Sequence, residues 1–342
     1  MPCICVATGK QRFAPRAAKL LARKGEVIMN RHFQAVRRVF TMTLGVLILG
    51  VMATGTARAA GCDRACLQNM ITEYLDAMVA HAPSRLPLAA NVRFTEDSHE
   101  LKLGDGLWKT VTRQGEFRQD YIDVKGQIAA SQVVLFEGNT QVLYSVVLHV
   151  AKGEISGIET LEFRVPADAK PSSDHTNKPL PECPLCILPD HLDKPLQGMN
   201  EPVPAGKGIP RAEMVRVAMA YVEGLRVGSF VQANTPFAPD AYRLENGFMT
   251  AGEGCMSPNS SCDPRTQKIR THPDIKASIA AVDEEAGIVL LWMNFGDTHT
   301  YGPGNALILF EAFKVWDGNI HGINAFMFYL PKETQRGWPS VE

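Results

Sequence analysis

The chain has 342 residues, 45% of them hydrophobic and 21% charged, the balance of a globular protein with room for about two domains of ordinary size. Its formal charge of −1 conceals a split: residues 1–59 carry ten Lys/Arg and one acid, which leaves 25 basic against 35 acidic residues, net −10. A body that acidic repels phosphate backbones, which argues against nucleic acid as a partner.

The basic front end reads as an export signal over 1–59. Arg31, Arg37 and Arg38 form a positive region, Leu44 to Val51 an apolar run, and Ala57-Arg58-Ala59 a small-x-small cleavage site. The run is too short for a membrane span of about 20 residues, so no stable span is expected after signal removal. Arg37-Arg38 resembles part of a twin-arginine signal without its usual hydroxyl residue, and Met29 begins a more ordinary signal. Cys62, Cys66, Cys183, Cys186, Cys255 and Cys262 then remain as three local pairs. An even set in an oxidising periplasmic or secreted setting favours disulfides, local closure being the simplest of 15 connectivities.

The first domain, 60–166, opens with an amphipathic helix over Arg64–His81, in which Leu67, Met70, Ile71, Tyr74, Leu75 and Met78 recur at spacings of three and four. After a loop-rich middle come strand-like runs at 132–136, 141–150 and 155–165. Residues 167–211, rich in Pro, Gly, Asp and Lys, read as a linker. The second domain, 212–342, repeats the order: a helix with Met214, Val217, Ala218, Tyr221, Val222 and Leu225, an irregular middle, then strands at 288–294, 306–315 and 320–330.

Val150–Pro166 and Val315–Pro331 align without a gap over 17 positions, with seven identities: Val150/Val315, Gly153/Gly318, Ile155/Ile320, Gly157/Gly322, Ile158/Ile323, Phe163/Phe328 and Pro166/Pro331. Upstream, Tyr74-Leu-Asp-Ala-Met echoes Tyr221-Val-Glu-Gly-Leu, and Glu96 and Glu245 follow at matching places. The same order of parts twice is how a duplicated α+β domain reads.

These residues resemble the nuclear-transport-factor-2-like superfamily, which includes SnoaL-like cyclases, ketosteroid isomerases and scytalone dehydratases. The helix with Tyr-Leu-Asp-Ala-Met, the late hairpin with Val-x-x-Gly-x-Ile and the closing Gly-Ile-x-x-x-x-Phe strand carry the resemblance. Arg243-Leu-Glu-Asn-Gly and Val282-Asp-Glu-Glu-Ala-Gly-Ile-Val look like its tandem two-repeat branch of uncharacterised bacterial and fungal proteins. The resemblance implies two tandem cone-shaped α+β domains, each a curved antiparallel sheet wrapped around N-terminal helices, paired through their sheets as an intramolecular pseudo-dimer. It implies a small apolar molecule as partner and no one-to-one carry-over of catalytic positions.

Strand alternation sorts the candidates. Gly157, Glu159, Leu161 and Phe163 share one face, matched by Gly322, Asn324, Phe326 and Phe328. Glu159 on such a face either has a raised pKa fit for general acid–base work or is solvated at the open end. Glu311 lies with Leu309, Phe313 and Val315 where the first domain has Val146, and either serves chemistry or pairs with Arg243. Glu159, Glu311 and Arg243 are thus the candidate acid, base and electrostatic stabiliser. Asn324, Phe326, Trp108 and His299 are the candidate ligand contacts, His299 with Asp297 as an acid–imidazole pair or a plain hairpin end. Glu96 and Glu245 read as turn braces. His175, Cys183, Cys186 and His191 offer zinc ligands, but the compartment favours a disulfide, so no metal is expected. Neither a glycine-rich phosphate loop nor a Gly-x-Ser-x-Gly elbow occurs, so no cofactor and no serine-hydrolase chemistry are expected.

Overall fold

In the computed structural model of the chain, the described residues are 61–165, 192, 196, 198–255, 261–267, 269–297 and 303–342, all within one compact unit, Thr56–Glu342. The export signal, Cys183, Cys186, His175, His191 and His299 lie outside the described residues.

Helix α1, Arg64–Val79, starts where the Asp63 carboxylate accepts the Cys66 N–H at 2.9 Å, satisfying one of the free donors of the first turn. It buries Leu67, Ile71, Tyr74, Leu75 and Met78, the face set by their spacing. Helix α2, Arg211–Val227, follows Pro210 and stops at Gly228, whose φ of 75° is the left-handed cap that favours glycine. A Cys62–Cys66 disulfide ties the start of α1, with Cα atoms 5.2 Å apart. Cys255 and Cys262 are likewise bonded, 5.6 Å apart, across the turn-forming segment between them.

In the first half the strands are β1 (Leu88–Glu96), β2 (His99–Leu101), β3 (Arg113–Asp123), β4 (Ile128–Glu137), β5 (Thr140–Ala151) and β6 (Glu154–Arg164). In the second they are β7 (Phe237–Glu245), β8 (Phe248–Ala251), β9 (Lys276–Asp283), β10 (Ile288–Asn294), β11 (Asn305–Trp316) and β12 (Asn319–Pro331). Each set forms one six-stranded sheet, ordered β2-β1-β6-β5-β4-β3 and β8-β7-β12-β11-β10-β9. The registers correspond too: Gly157 lies opposite His149 and Arg93, Gly322 opposite Lys314 and Tyr242.

Two expectations are corrected. The sheets are mixed, not antiparallel, because β1 runs parallel to β6 and β7 parallel to β12. The loop-rich middles also contain strands, among them β3, whose Arg-Gln-Gly-Glu-Phe-Arg-Gln start hides its apolar alternation behind long polar side chains.

Both faces of each sheet are covered. Val146, Leu148, Tyr144 and Ile158 pack with α1 residues in one core. Phe117, Tyr121, Val147 and Leu161 pack with second-half residues in the other. The halves touch there through Phe117 and Phe326, 5.5 Å between ring centres, and through Gln132, which receives the Asn324 amide at 2.8 Å and donates to the Phe310 carbonyl at 3.0 Å. Two reciprocal ion pairs flank this contact. Arg64, at the start of α1, donates to both Asp283 oxygens at 2.8 and 3.0 Å; Arg211, at the start of α2, donates to both Asp123 oxygens at 2.9 and 2.7 Å. Each aspartate also accepts a backbone N–H from the other half, Ile122 to Asp283 and Val282 to Asp123, both at 2.9 Å.

Candidate functional site

The polar groups of the second half converge where its sheet meets α2. Strand β11 turns Glu311 and Phe313 toward the helix, and Phe313 packs edge-on against Tyr221 at 5.0 Å. Strand β7 brings Arg243 to the same side, where it donates to the Tyr221 hydroxyl at 3.2 Å, to Thr250 at 2.8 Å and to Gln267 at 3.0 Å. Its ion-pair partner is Glu245, at 3.0 Å. Gln267 in turn donates to the Thr250 carbonyl at 2.6 Å, fastening the cluster to the β7–β8 hairpin.

Glu311 is 2% exposed, and one of its carboxylate oxygens, Oε2, has no hydrogen-bond partner among the described residues. Burial pushes its pKa up to about 8, Glu245 pushes the same way, and Arg243 and a hydrogen bond with Tyr221 oppose. At neutral pH Glu311 is therefore mostly protonated. Tyr221 is held well above the ordinary range, chiefly by burial, and stays neutral. Burial works against the Arg243 charge, but Tyr221, Glu245 and Glu311 more than offset it and keep its pKa raised.

The first half places a different set at the corresponding spot. Tyr74 of α1 meets the Tyr144 hydroxyl at 2.9 Å and receives the Trp108 indole N–H at 3.1 Å. Trp108 is thus a buried structural donor in the first half, remote in the fold from Glu311. Glu96 braces a turn by accepting the Leu107 N–H at 3.0 Å, and burial, then Glu162, pushes its pKa up to about 8. Gly106 must stay glycine for this: its φ is +65°, and a Cβ there would lie 2.0 Å from Glu96 Oε1.

The remaining expected residues sit on the other face of the sheets. Glu159 is neither solvated nor near Glu311: it takes a two-pronged bond from Arg336 at 3.0–3.1 Å, and Arg336 also donates to the Ser278 hydroxyl and Ile279 carbonyl at 2.9 Å. Asn324 and Phe326 lie between the sheets. Asp297 pairs with Lys332 at 2.7 Å. Of the three residues expected to work together, the fold brings together Glu311 and Arg243 and leaves Glu159 in the contact between halves.

Sequence reasoning missed the Arg64–Asp283 and Arg211–Asp123 pairs and the Tyr221, Thr250 and Gln267 partners of Arg243. A signal for the first existed: Asp123 precedes Ile128, and Asp283 precedes Ile288, by the same five positions. Tyr221 belonged to the repeated helix motif; for Thr250 and Gln267 no such pattern exists.

Residues 208–327 match the model of a domain of unknown function (DUF8021). No curated protein matches the chain. Among solved structures, a de novo designed protein with a curved β-sheet is similar at 19% identity and TM-score 0.26, over 32% of this chain and 92% of that one. A "putative ketosteroid isomerase" from Kribbella flavida DSM 17836 is similar at 19% identity and TM-score 0.25, over 35% of this chain and 93% of that one.

Proposed function

We propose that the core between α2 and its sheet binds a small apolar molecule and performs cofactor-free proton transfer on it, in the class of isomerisation, dehydration or a related lyase step. The observation that carries this reading is Glu311, a carboxyl buried among apolar residues with one oxygen unpartnered and its pKa pushed up to about 8. A carboxyl that holds its proton at neutral pH can donate it to a substrate oxygen, and the carboxylate so formed can take a proton from the neighbouring carbon, which leaves the enol and restores the acid. Tyr221 orients that carboxyl, and Arg243 stabilises the carboxylate left on Glu311 between the two transfers. Glu159, bonded to Arg336, has no part in it. The superfamily assignment rests on the quoted motifs, and export to an oxidising compartment is supported by the Cys62–Cys66 and Cys255–Cys262 disulfides.

The test is deuterium uptake by an apolar cyclic ketone, 2-tetralone, in D2O with the full chain. The protein should accelerate exchange at the carbon beside the carbonyl, and Glu311→Gln should lose that acceleration by roughly 10²–10⁴-fold with near-normal melting. A second reading, a non-catalytic binding or scaffold protein, is favoured by the saturation of Arg243, whose guanidinium is bonded to Tyr221, Thr250, Gln267 and Glu245. It expects no acceleration by the native chain, and a lower melting temperature for Glu311→Gln.

A further inference from the structure

The registers of the two sheets allow positions on the faces turned away from the helices to be compared one by one. In the first half, His149, Arg93, Thr95 and Gly157 form a dock for the indole of Trp338 from the chain's C-terminal segment. The ring stacks on His149 with centres 4.5 Å apart, lies 4.5 Å beneath the Arg93 guanidinium and donates its N–H to Thr95 at 2.9 Å. A Cβ on Gly157 would come within 2.5 Å of that ring. In the second half the corresponding positions are Lys314, Tyr242, Leu244 and Gly322. There no counterpart of Trp338 is seated among the described residues; three of the four positions, Lys314, Tyr242 and Leu244, line a groove of about 510 Å³ together with Met249, Pro204 and Trp316. Its size is that of a small-molecule site, a few hundred Å³.

The charges differ as well. Arg93, the cation over the indole in the first half, is replaced by Tyr242, and three carboxylate residues, Glu201, Asp240 and Glu253, line the groove. The Asp240 side chain is 87% exposed, so it stands at the mouth. Lys314 does not balance these acids in full: its ammonium donates into the wall, to the backbone carbonyls of Glu201 and Ala286, and burial pushes its pKa down to about 8. His321, stacked on Trp316, is pushed below its ordinary range by burial and is neutral at pH 7. Aromatic and apolar walls with an acidic mouth fit a flat ring whose positive charge lies on a short arm.

We propose that this groove is a binding site for a cationic arylalkylamine, a planar aromatic ring carrying a protonated amine on a short chain. The ring lies against Tyr242, Leu244 and Met249, beside the spot over Gly322 that the Tyr242 phenol itself fills, and the ammonium meets Asp240, Glu201 and Glu253. The site is on the face of β7 opposite Arg243 and does not depend on the acid–base reading of Glu311.

Calorimetric titration of the full chain with tryptamine, indole and indole-3-acetate tests it. Tryptamine should bind one per chain and about tenfold more tightly than indole-3-acetate, a ratio that a few exposed charge contacts supply. Met249→Trp, which fills the groove, should abolish binding. Asp240→Lys, at an exposed position where folding is safe, should weaken tryptamine and narrow its advantage over indole-3-acetate. No tryptamine binding by the native chain, equal or tighter binding of indole-3-acetate, or binding unchanged in a folded Met249→Trp protein would each overturn the proposal.

Discussion

The two helix-facing cores differ at corresponding positions, and the difference is concerted. Where the first half has Phe94 opposite Ile158, the second has Arg243 opposite Ile323; where the first has Val146 opposite Thr160, the second has Glu311 opposite Ala325. Both helices contribute a tyrosine. In the first half it closes a neutral chain, Tyr74 with Tyr144 and Trp108; in the second it stands between a guanidinium and a carboxyl. Burying an isolated charge is expensive, and a second charge beside it is the usual compensation. The first half shows that the fold is satisfied by apolar residues at both positions. The arginine and carboxyl of the second half are therefore not required by the architecture, which is why they are the candidates for chemistry.

Exchanging the residues breaks the comparison most sharply. Arg243→Phe alone takes from Tyr221, Thr250 and Gln267 their buried donor and from the part-exposed Glu245 its cation, and should cost ~2–4 kcal/mol in denaturant unfolding. Adding Glu311→Val should recover much of that loss, because a pair replaced by apolar residues of suitable size is often neutral or stabilising. A double variant as unstable as the sum of its singles would show that the two cores are not interchangeable.

The reciprocal ion pairs give a smaller contrast. Asp123 and Asp283 are both fully buried, but Arg211 has a 7% exposed side chain and Arg64 a 25% exposed one. Asp123→Asn should cost ~3 kcal/mol, and Asp283→Asn measurably less because water can solvate the released Arg64. Thermal unfolding of the two variants checks the order; a reversed order would mean that the pairs are not equivalent clasps.

A pH series separates the cores without changing their packing. Glu311 and Glu96 both have pKa values raised from 4.5 to about 8 in the folded state. Between these values the folded chain keeps protons that the unfolded chain releases, so stability falls as pH rises from about 4.5 to 8. Each group contributes a slope of up to ~1.4 kcal/mol per pH unit. The Arg243→Phe/Glu311→Val protein should keep only the share due to Glu96 and its neighbours in that window. An unchanged slope would place the Glu311 titration elsewhere.

Much of the frame was legible in the residues, and the reason lies in period and spacing. The two helices, the β5–β6 and β11–β12 hairpins and the Cys255–Cys262 pairing follow from apolar recurrence, glycine turns and a short loop. What alternation cannot tell is which neighbour covers a buried face. All seven residues of β10 are buried, and β4 and β5 are nearly so, because a helix covers one side and the other sheet covers the second. Gly157, Glu159, Leu161 and Phe163 do share a face, as alternation predicts, but it is the face toward the other half. The partner of Glu159, Arg336, is 177 residues away, a separation at which no local pattern speaks. Glu311 was legible because a charge stood where its counterpart was Val146; its surroundings were not.

The finest contrast concerns the two glycines at corresponding register positions. A Cβ on Gly157 would lie 2.5 Å from the Trp338 ring, and one on Gly322 would lie 2.7 Å from the Tyr242 phenol. The clashes are similar in size, but their relief is not. Trp338 is held on several sides, by His149, Arg93 and Thr95, and its segment also carries the Arg336–Glu159 pair, so moving the ring loosens all of these together. At Gly322 the atoms met are Cζ, Cε1 and the hydroxyl of Tyr242, the far end of one side chain at the border of the groove, so relief asks for a shift of that ring and not of a chain segment. Gly157→Ala should therefore cost ~1–3 kcal/mol, the range for forcing extra volume into a packed site, and raise amide exchange across residues 336–342. Gly322→Ala should cost less and leave that exchange unchanged, while reducing the room for an aromatic ligand. If Gly322→Ala proved the more destabilising of the two, the space beside Tyr242 would not be available to a side chain, and the claim that the second half leaves a groove beside this position would fail.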